Sequence, residues 1–262
     1  MIRESWSRYL ALAAALAARE FPGSYRGNLT GALAAIGVPV AMLATYSFVF
    51  SRLIPVDTGL DRGADGYVFF LFSGLVVWNL FSDVVVRSPT LFVGAPNYVQ
   101  RPQFPVSLLV LAPALASFYR SLPWLVAFLV AHAAMGREWT LILITAPLIL
   151  ALASVLTFGV ALVLASIGAV MRDTSDFVPP AMTLLFFLSP VLYSGEKLAG
   201  IADWIMIANP IANLIEAMRS VLLDQTLPSE VVMTRAAISL VLWPLVGILM
   251  YRGVRETLPD LV

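Results

Sequence analysis

Residues able to do chemistry are few in this chain, and their spacing excludes most catalysis. No cysteine is present, which removes disulfides, thiol nucleophiles and thiolate metal sites, and a lone histidine, His132, cannot assemble a histidine metal site. The single lysine, Lys197, sits in SGEKLAG, which lacks the GxxxxGK order followed by Ser or Thr of a phosphate-cradling loop, so any ATP must be hydrolysed by another chain. Neither a GxSxG elbow nor an HExxH helix occurs. Carboxylates inside apolar stretches are too sparse for a proton relay. Asp83 comes nearest, and it stands four residues before Arg87, a spacing that pairs the two on one helix face. The expectation is a conduit rather than a catalyst.

The elements that would build such a conduit are long and apolar. Hydrophobic residues make up 60% of the 262 residues and charged residues 12%, about half the share usual in a soluble domain. Apolar segments cover residues 29–50, 67–86, 106–134, 140–170, 178–193 and 236–251, and most are long enough as helices to cross a hydrocarbon core of about 30 Å. The expected fold is therefore an all-α integral membrane protein with six transmembrane helices in a single membrane domain, residues 1–262. Its core spans 29–251 and its tail 252–262.

An even number of spans puts both termini on one side. That side collects Arg3, Arg8, Arg19, Arg26, Arg87, Arg101, Arg172, Arg252 and Arg255; the other collects Arg52, Arg62, Arg137, Lys197, Arg219 and Arg235, set among more acids. The positive-inside bias makes the termini cytoplasmic. Zero formal net charge gives no reason to expect nucleic acid as a partner.

Two segments are apolar without spanning. In residues 1–26, Arg3 and Arg8 before an alanine-rich run allow a secretory signal. Against it, Ile2, Trp6, Tyr9, Ala13 and Leu16 share one helical face, as expected of an N-terminal amphipathic helix lying along the cytoplasmic interface. Between spans five and six, IADWIMIANPIANLIEAMRSVLL (201–223) is divided by Asn209 and Pro210 into two short helices. Asp203, Asn213, Glu216 and Arg219 suit a re-entrant hairpin facing water or protein; a surface-lying amphipathic pair is the alternative.

Loops on the cytoplasmic side are candidates for partner contact. SPTLFVGAPNYVQRPQFP (88–105) holds Pro89, Pro96, Pro102 and Pro105, so it forms a short stiff helix or turn that projects from the membrane, with Asn97, Tyr98 and Arg101 as handles. MRDTSDF (171–177) places Arg172 and Asp173 after span four, with Pro179 and Pro180 opening span five. Arg120 is the one charge at mid-span. It binds a phosphate group, or Pro105, Pro113 and Pro123 break the stretch so that residues 106–119 lie near the cytoplasmic face and leave it to snorkel to the interface, the reading preferred here.

Taken in order, SYRGNLTGAL, YSFVFSRL, FLFSGLVVWNLFSDVVVRSP, NYVQRPQFP, MRDTSDF, LSPVLYS, NPIANLIEAMRSVLL and the terminal RETLPDLV resemble the type 2 ABC transporter permeases that export polysaccharides, over nearly the whole chain. Departures fall at Gln100, Pro102 and Ala34, where the family usually has a basic residue, an aliphatic and a tryptophan. The resemblance implies a second copy of the chain, two ABC ATPase subunits that bind ATP and magnesium, and a lipid-linked glycan of O-antigen, capsule or teichoic acid type. This chain itself would hold no cofactor. By the same resemblance Asn97, Tyr98, Arg101, Phe104 and Pro105, with Arg172 and Asp173, belong to the ATPase-coupling loops. Ser189, Pro190 and Tyr193 match the outer end of span five, and Asn209, Pro210 and Arg219 the re-entrant hairpin. Envelope-spanning export proteins are an open further partner.

A sugar polymer is polar but has apolar C–H faces, so a path for it combines aromatic rings with scattered hydrogen-bonding groups. Tyr46, Phe50, Trp78, Phe81, Phe186, Phe187 and Tyr193 are the candidate lining; lipid contact or helix packing is the competing role for each. Competing functions are an exporter of drugs or small lipids on the same architecture, an ATP-independent channel, and an intramembrane enzyme, for which no cluster of His, Asp or Glu appears at one depth.

Overall fold

Without water to bond exposed amides, a long apolar run can satisfy its backbone within one segment only as a helix, and helices are what these runs form. The structure, a computed structural model, describes residues 9, 11–18, 29–49, 63–193 and 206–262, and no strand occurs among them. Ile2 and Trp6 of the interface face, the arginines at 3, 8, 19 and 26, Phe50 and Asp203 lie outside the described residues. The helices are α1 (residues 11–18), α2 (Leu29–Phe48), α3 (Gly63–Arg87), α4 (Pro96–Val99), α5 (Leu108–Ala134), α6 (Ala146–Val170), α7 (Thr174–Leu188), α8 (Ala212–Arg219), α9 (Glu230–Val254) and α10 (Leu258–Leu261).

Among the described residues, 4 stretches have the length and hydropathy of a membrane span: Gly66–Thr90, Leu108–Ala134, Leu141–Val170 and Glu230–Val254. Gly37–Phe48 and Thr174–Leu188 are apolar and shorter. With 15 residues, α7 rises about 22 Å, less than a hydrocarbon core. It starts at Thr174, so Pro179 and Pro180 sit inside it rather than opening it. The hydroxyls of Thr174 and Ser175 donate to the carbonyls of Met171 and Arg172, which ties the preceding loop to the helix's first turn.

Helix α3 is the centre of the bundle: 83% of its apolar window is buried, against 17% for α9. Phe69, Phe72 and Phe81 on α3 pack with Phe128 on α5, Leu150 and Leu156 on α6, and Leu214 and Ile215 on α8. By contrast, α9 leaves Ile238, Val241, Leu245 and Leu249 exposed, the outward face expected of a helix bathed in lipid. Its inner face meets α6 through small residues. A Cβ on Gly159 would overlap the Pro244 backbone, and one on Gly247 would stand 2.5 Å from the Gly159 carbonyl oxygen. Such close approach drives association where lipid removes the hydrophobic push between helices.

The prolines at 113 and 123 do not break the third apolar stretch. Helix α5 runs unbroken from Leu108 to Ala134 with both inside it, because each proline removes only one backbone donor while packing against α3 and α6 holds the rest. Arg120 therefore stays within the bundle. It does not lie on a separate surface helix, and its Nη2 donates to Asp83 Oδ2 on α3.

Candidate functional site

At the end of the bundle holding the C-terminus, the proline-rich loop folds onto the helices. Pro89 starts a 3-10 turn, Ser88–Thr90. Pro96 opens α4, where its missing N–H is no loss. Phe92 and Val99 point inward and are buried with Val84, Val110, Leu162 and Leu258, so the loop is seated on a second small core instead of projecting freely. Asn97, Gln100 and Arg101 remain exposed. Tyr98 packs its ring 4.9 Å from Phe104, and the Arg101 guanidinium lies 5.9 Å from the Tyr98 centroid, which makes one exposed aromatic and cationic stack. Pro105 is half-buried behind it.

Two contacts tie this stack to the spans. Gly168 on α6 lets the Pro89 backbone lie directly against it, so that any Cβ there would overlap the turn. The segment expected as a tail folds back, and α10 buries Leu258 completely beside α4. Arg172 and Asp173 are exposed just beyond the end of α6, one turn past Gly168. The two expected contact loops thus share α6 as a common base. Neither Gly168 nor Leu258 stood out in the sequence, because a glycine or leucine in an apolar segment carries no local signal of its partner.

The opposite end brings together residues from both other expected motifs. Asn209 donates from Nδ2 to Ser189 Oγ at 2.7 Å, Ser189 donates onward to the Leu185 carbonyl at 2.6 Å, and the Ile211 N–H donates to Asn209 Oδ1 at 3.2 Å. Arg219 is buried; its Nη2 donates to the Pro190 carbonyl at 2.6 Å and its Nη1 to Glu216 Oε1 at 2.9 Å. The same guanidinium lies 3.6 Å from the Phe70 centroid on α3. Pro210 is buried at the turn before α8. Tyr67 donates to the Leu192 carbonyl at 3.3 Å, and Tyr193 to that of Phe187 at 3.0 Å. The end of α7, the segment from Asn209 through α8, and α3 are therefore one bonded unit.

The candidate lining residues separate into buried and open. Trp78 and Phe81 on α3 are 7% and 1% exposed, packed into the protomer's own core. Trp78 lies 5.3 Å from Phe186, which lies 5.5 Å from Phe187. The aromatic chain reaches the outside of the protomer at Phe187, 59% exposed on α7 beside Leu184 and Leu188. Tyr46 on α2 is half-buried against the core. His132, set aside above as a metal ligand, is buried and bridges the loop after α5 to Gln225: its Nε2 is 3.0 Å from the Glu138 carbonyl, and Gln225 Nε2 donates to that carbonyl at 2.7 Å. Gln225 holds a left-handed φ of 51° there.

A family model described as ABC-2 type transporter matches residues 12–223. An O-antigen export system permease protein RfbA of Myxococcus xanthus is 28% identical over 92% of this chain and 92% of its own length. Two proteins of the same name from Klebsiella pneumoniae are each 25% identical over 79% of this chain and 78% of theirs.

Proposed function

The chain belongs to the ABC-2 type transporter family, and from that premise we propose that it is the permease of an ATP-driven exporter moving a lipid-linked polysaccharide out of the cytoplasm. The observation that carries the proposal is a relative named for O-antigen export that aligns along 92% of both chains. A second copy of the chain and two ATPase subunits complete the assembly, in a bacterial inner membrane with both termini cytoplasmic. The glycan hangs from a lipid and is of O-antigen, capsule or teichoic acid type. Six spans cross the bilayer, α2 and α7 among them, and α8 is one arm of a re-entrant hairpin.

In this reading the ATPase grips the stack of Tyr98, Arg101 and Phe104, with Arg172 and Asp173 as a second contact. Force enters α6 through the Pro89 turn on Gly168 and reaches α3 and α9, which pack against it. The bonded unit of Ser189, Asn209 and Arg219 moves as one body at the outer end. Purification from native membranes in gentle detergent tests the partnership. An ATPase subunit in equal amount, lost on Tyr98→Ala with Arg101→Ala, supports it; a chain that arrives alone and transports without ATP contradicts it and favours a self-gated channel.

A further inference from the structure

The seam between α3 and α5 carries charge where a bilayer disfavours it. Arg120 stands about 18 Å along α5 from Leu108, and its partner Asp83 about 6 Å from the Arg87 end of α3. It donates to Asp83 Oδ2 at 2.5 Å, while Arg87 Nη2 approaches the same oxygen at 3.4 Å. The pair is not sealed inside: the Asp83 side chain is 44% exposed and that of Arg120 22%. Ionisable groups within long apolar helices face protein or a water-filled path rather than lipid tails. Beside them opens a cavity of about 170 Å³, lined by Asn79, Asp83, Ser117, Arg120, Ser121 and Trp124 among others.

Its chemistry selects among ligands. An anion would have to displace Asp83, which already occupies the Arg120 guanidinium. An apolar chain would take water from the half-exposed Asp83 carboxylate and the Asn79 amide without replacing it. A neutral polyol satisfies it: hydroxyls donate to the carboxylate and accept from the guanidinium and the Asn79 amide. Ser117 and Ser121 spend their protons on the Ala114 and Phe118 carbonyls, which leaves their oxygens as acceptors. Trp124 supplies an aromatic surface for the C–H face of a sugar ring.

We propose that this cleft is a sugar-binding station that holds one ring of the glycan between α3 and α5, an inference that rests on the polysaccharide-export reading. The test complements a strain deleted for this chain and measures surface polysaccharide. A double replacement, Asp83→Leu with Arg120→Met, removes the ion pair without stranding either charge, a change that folded proteins often tolerate. The expected result is normal membrane abundance and melting temperature with export reduced at least about tenfold, the weight of one charge-assisted hydrogen bond. Asn79→Ala and Ser121→Ala, which leave the charges in place, are expected to lower export severalfold and stand in if the double variant fails to fold.

A second readout is the fluorescence of Trp124, taken by difference from Trp124→Phe, as the purified protein is titrated with the host's own delipidated surface polysaccharide or with pyrophosphate. A saturable change with the polysaccharide alone, absent in the double variant, supports the station. Wild-type export by the double variant, by Asn79→Ala and by Ser121→Ala, or a response to pyrophosphate alone, overturns it and leaves the export reading standing. A deletion strain that keeps its surface polysaccharide overturns both.

Discussion

Arg219 reaches back 29 residues to the Pro190 carbonyl, to which its Nη2 donates at 2.6 Å. A guanidinium whose side chain is only 6% exposed is stable there because Glu216 neutralises it and the Phe70 ring faces it. The bond fixes α8 to the end of α7, although the two partners are 29 residues apart in sequence.

Arg219→Ala is expected to be among the most damaging single changes. It takes from Glu216 its 2.9 Å ion pair and from the Pro190 carbonyl its donor, and removal of one member of a buried pair costs about 3 to 5 kcal/mol. Thermal unfolding in detergent should show a large fall in melting temperature. Arg219→Lys is expected to recover only part, since an ammonium cannot reproduce the guanidinium's fork.

Asn209→Ala and Ser189→Ala should each destabilise by about 1 kcal/mol, the usual weight of one hydrogen bond. Because both break the same link, the double variant should fall well short of the sum. Additive losses would show that the 2.7 Å contact carries no coupling.

Gly168→Val should push the Pro89 turn off α6, at about 1 to 3 kcal/mol for overpacking. Its signature is ATPase association lost ahead of membrane insertion. Gly253→Val, where an added Cβ meets nothing within 4 Å, is the matched control and should leave association unchanged.

Leu258→Ala should loosen α4 by about 2 to 5 kcal/mol, the range for a buried leucine in a packed core. Limited proteolysis around residues 92–105 reads this directly, with cleavage faster in the variant than in the native chain.

Long apolar runs made the helical class legible, because hydropathy is a local property that survives without knowledge of the fold. The Asp83 and Arg87 pair was legible for the same reason: a spacing of four on one helix fixes it, and the structure holds it at 3.4 Å. The partner of Arg120 was not legible, because it lies 37 residues away on another helix and no local pattern reports such a distance. The prolines at 113 and 123 misled as well, since their propensity in water overstates their effect where neighbouring helices hold the backbone. Ser189, Pro190, Asn209 and Arg219 were singled out separately, through resemblance. Only the packing shows that they are one cluster.

The most direct measurement is the fate of surface polysaccharide when this chain is depleted from its native host. Export by this permease predicts that the glycan vanishes from the cell surface while its lipid-linked form accumulates inside, and that restoring the chain reverses both. An unchanged surface glycan, with no lipid-linked material accumulating within, would contradict the account.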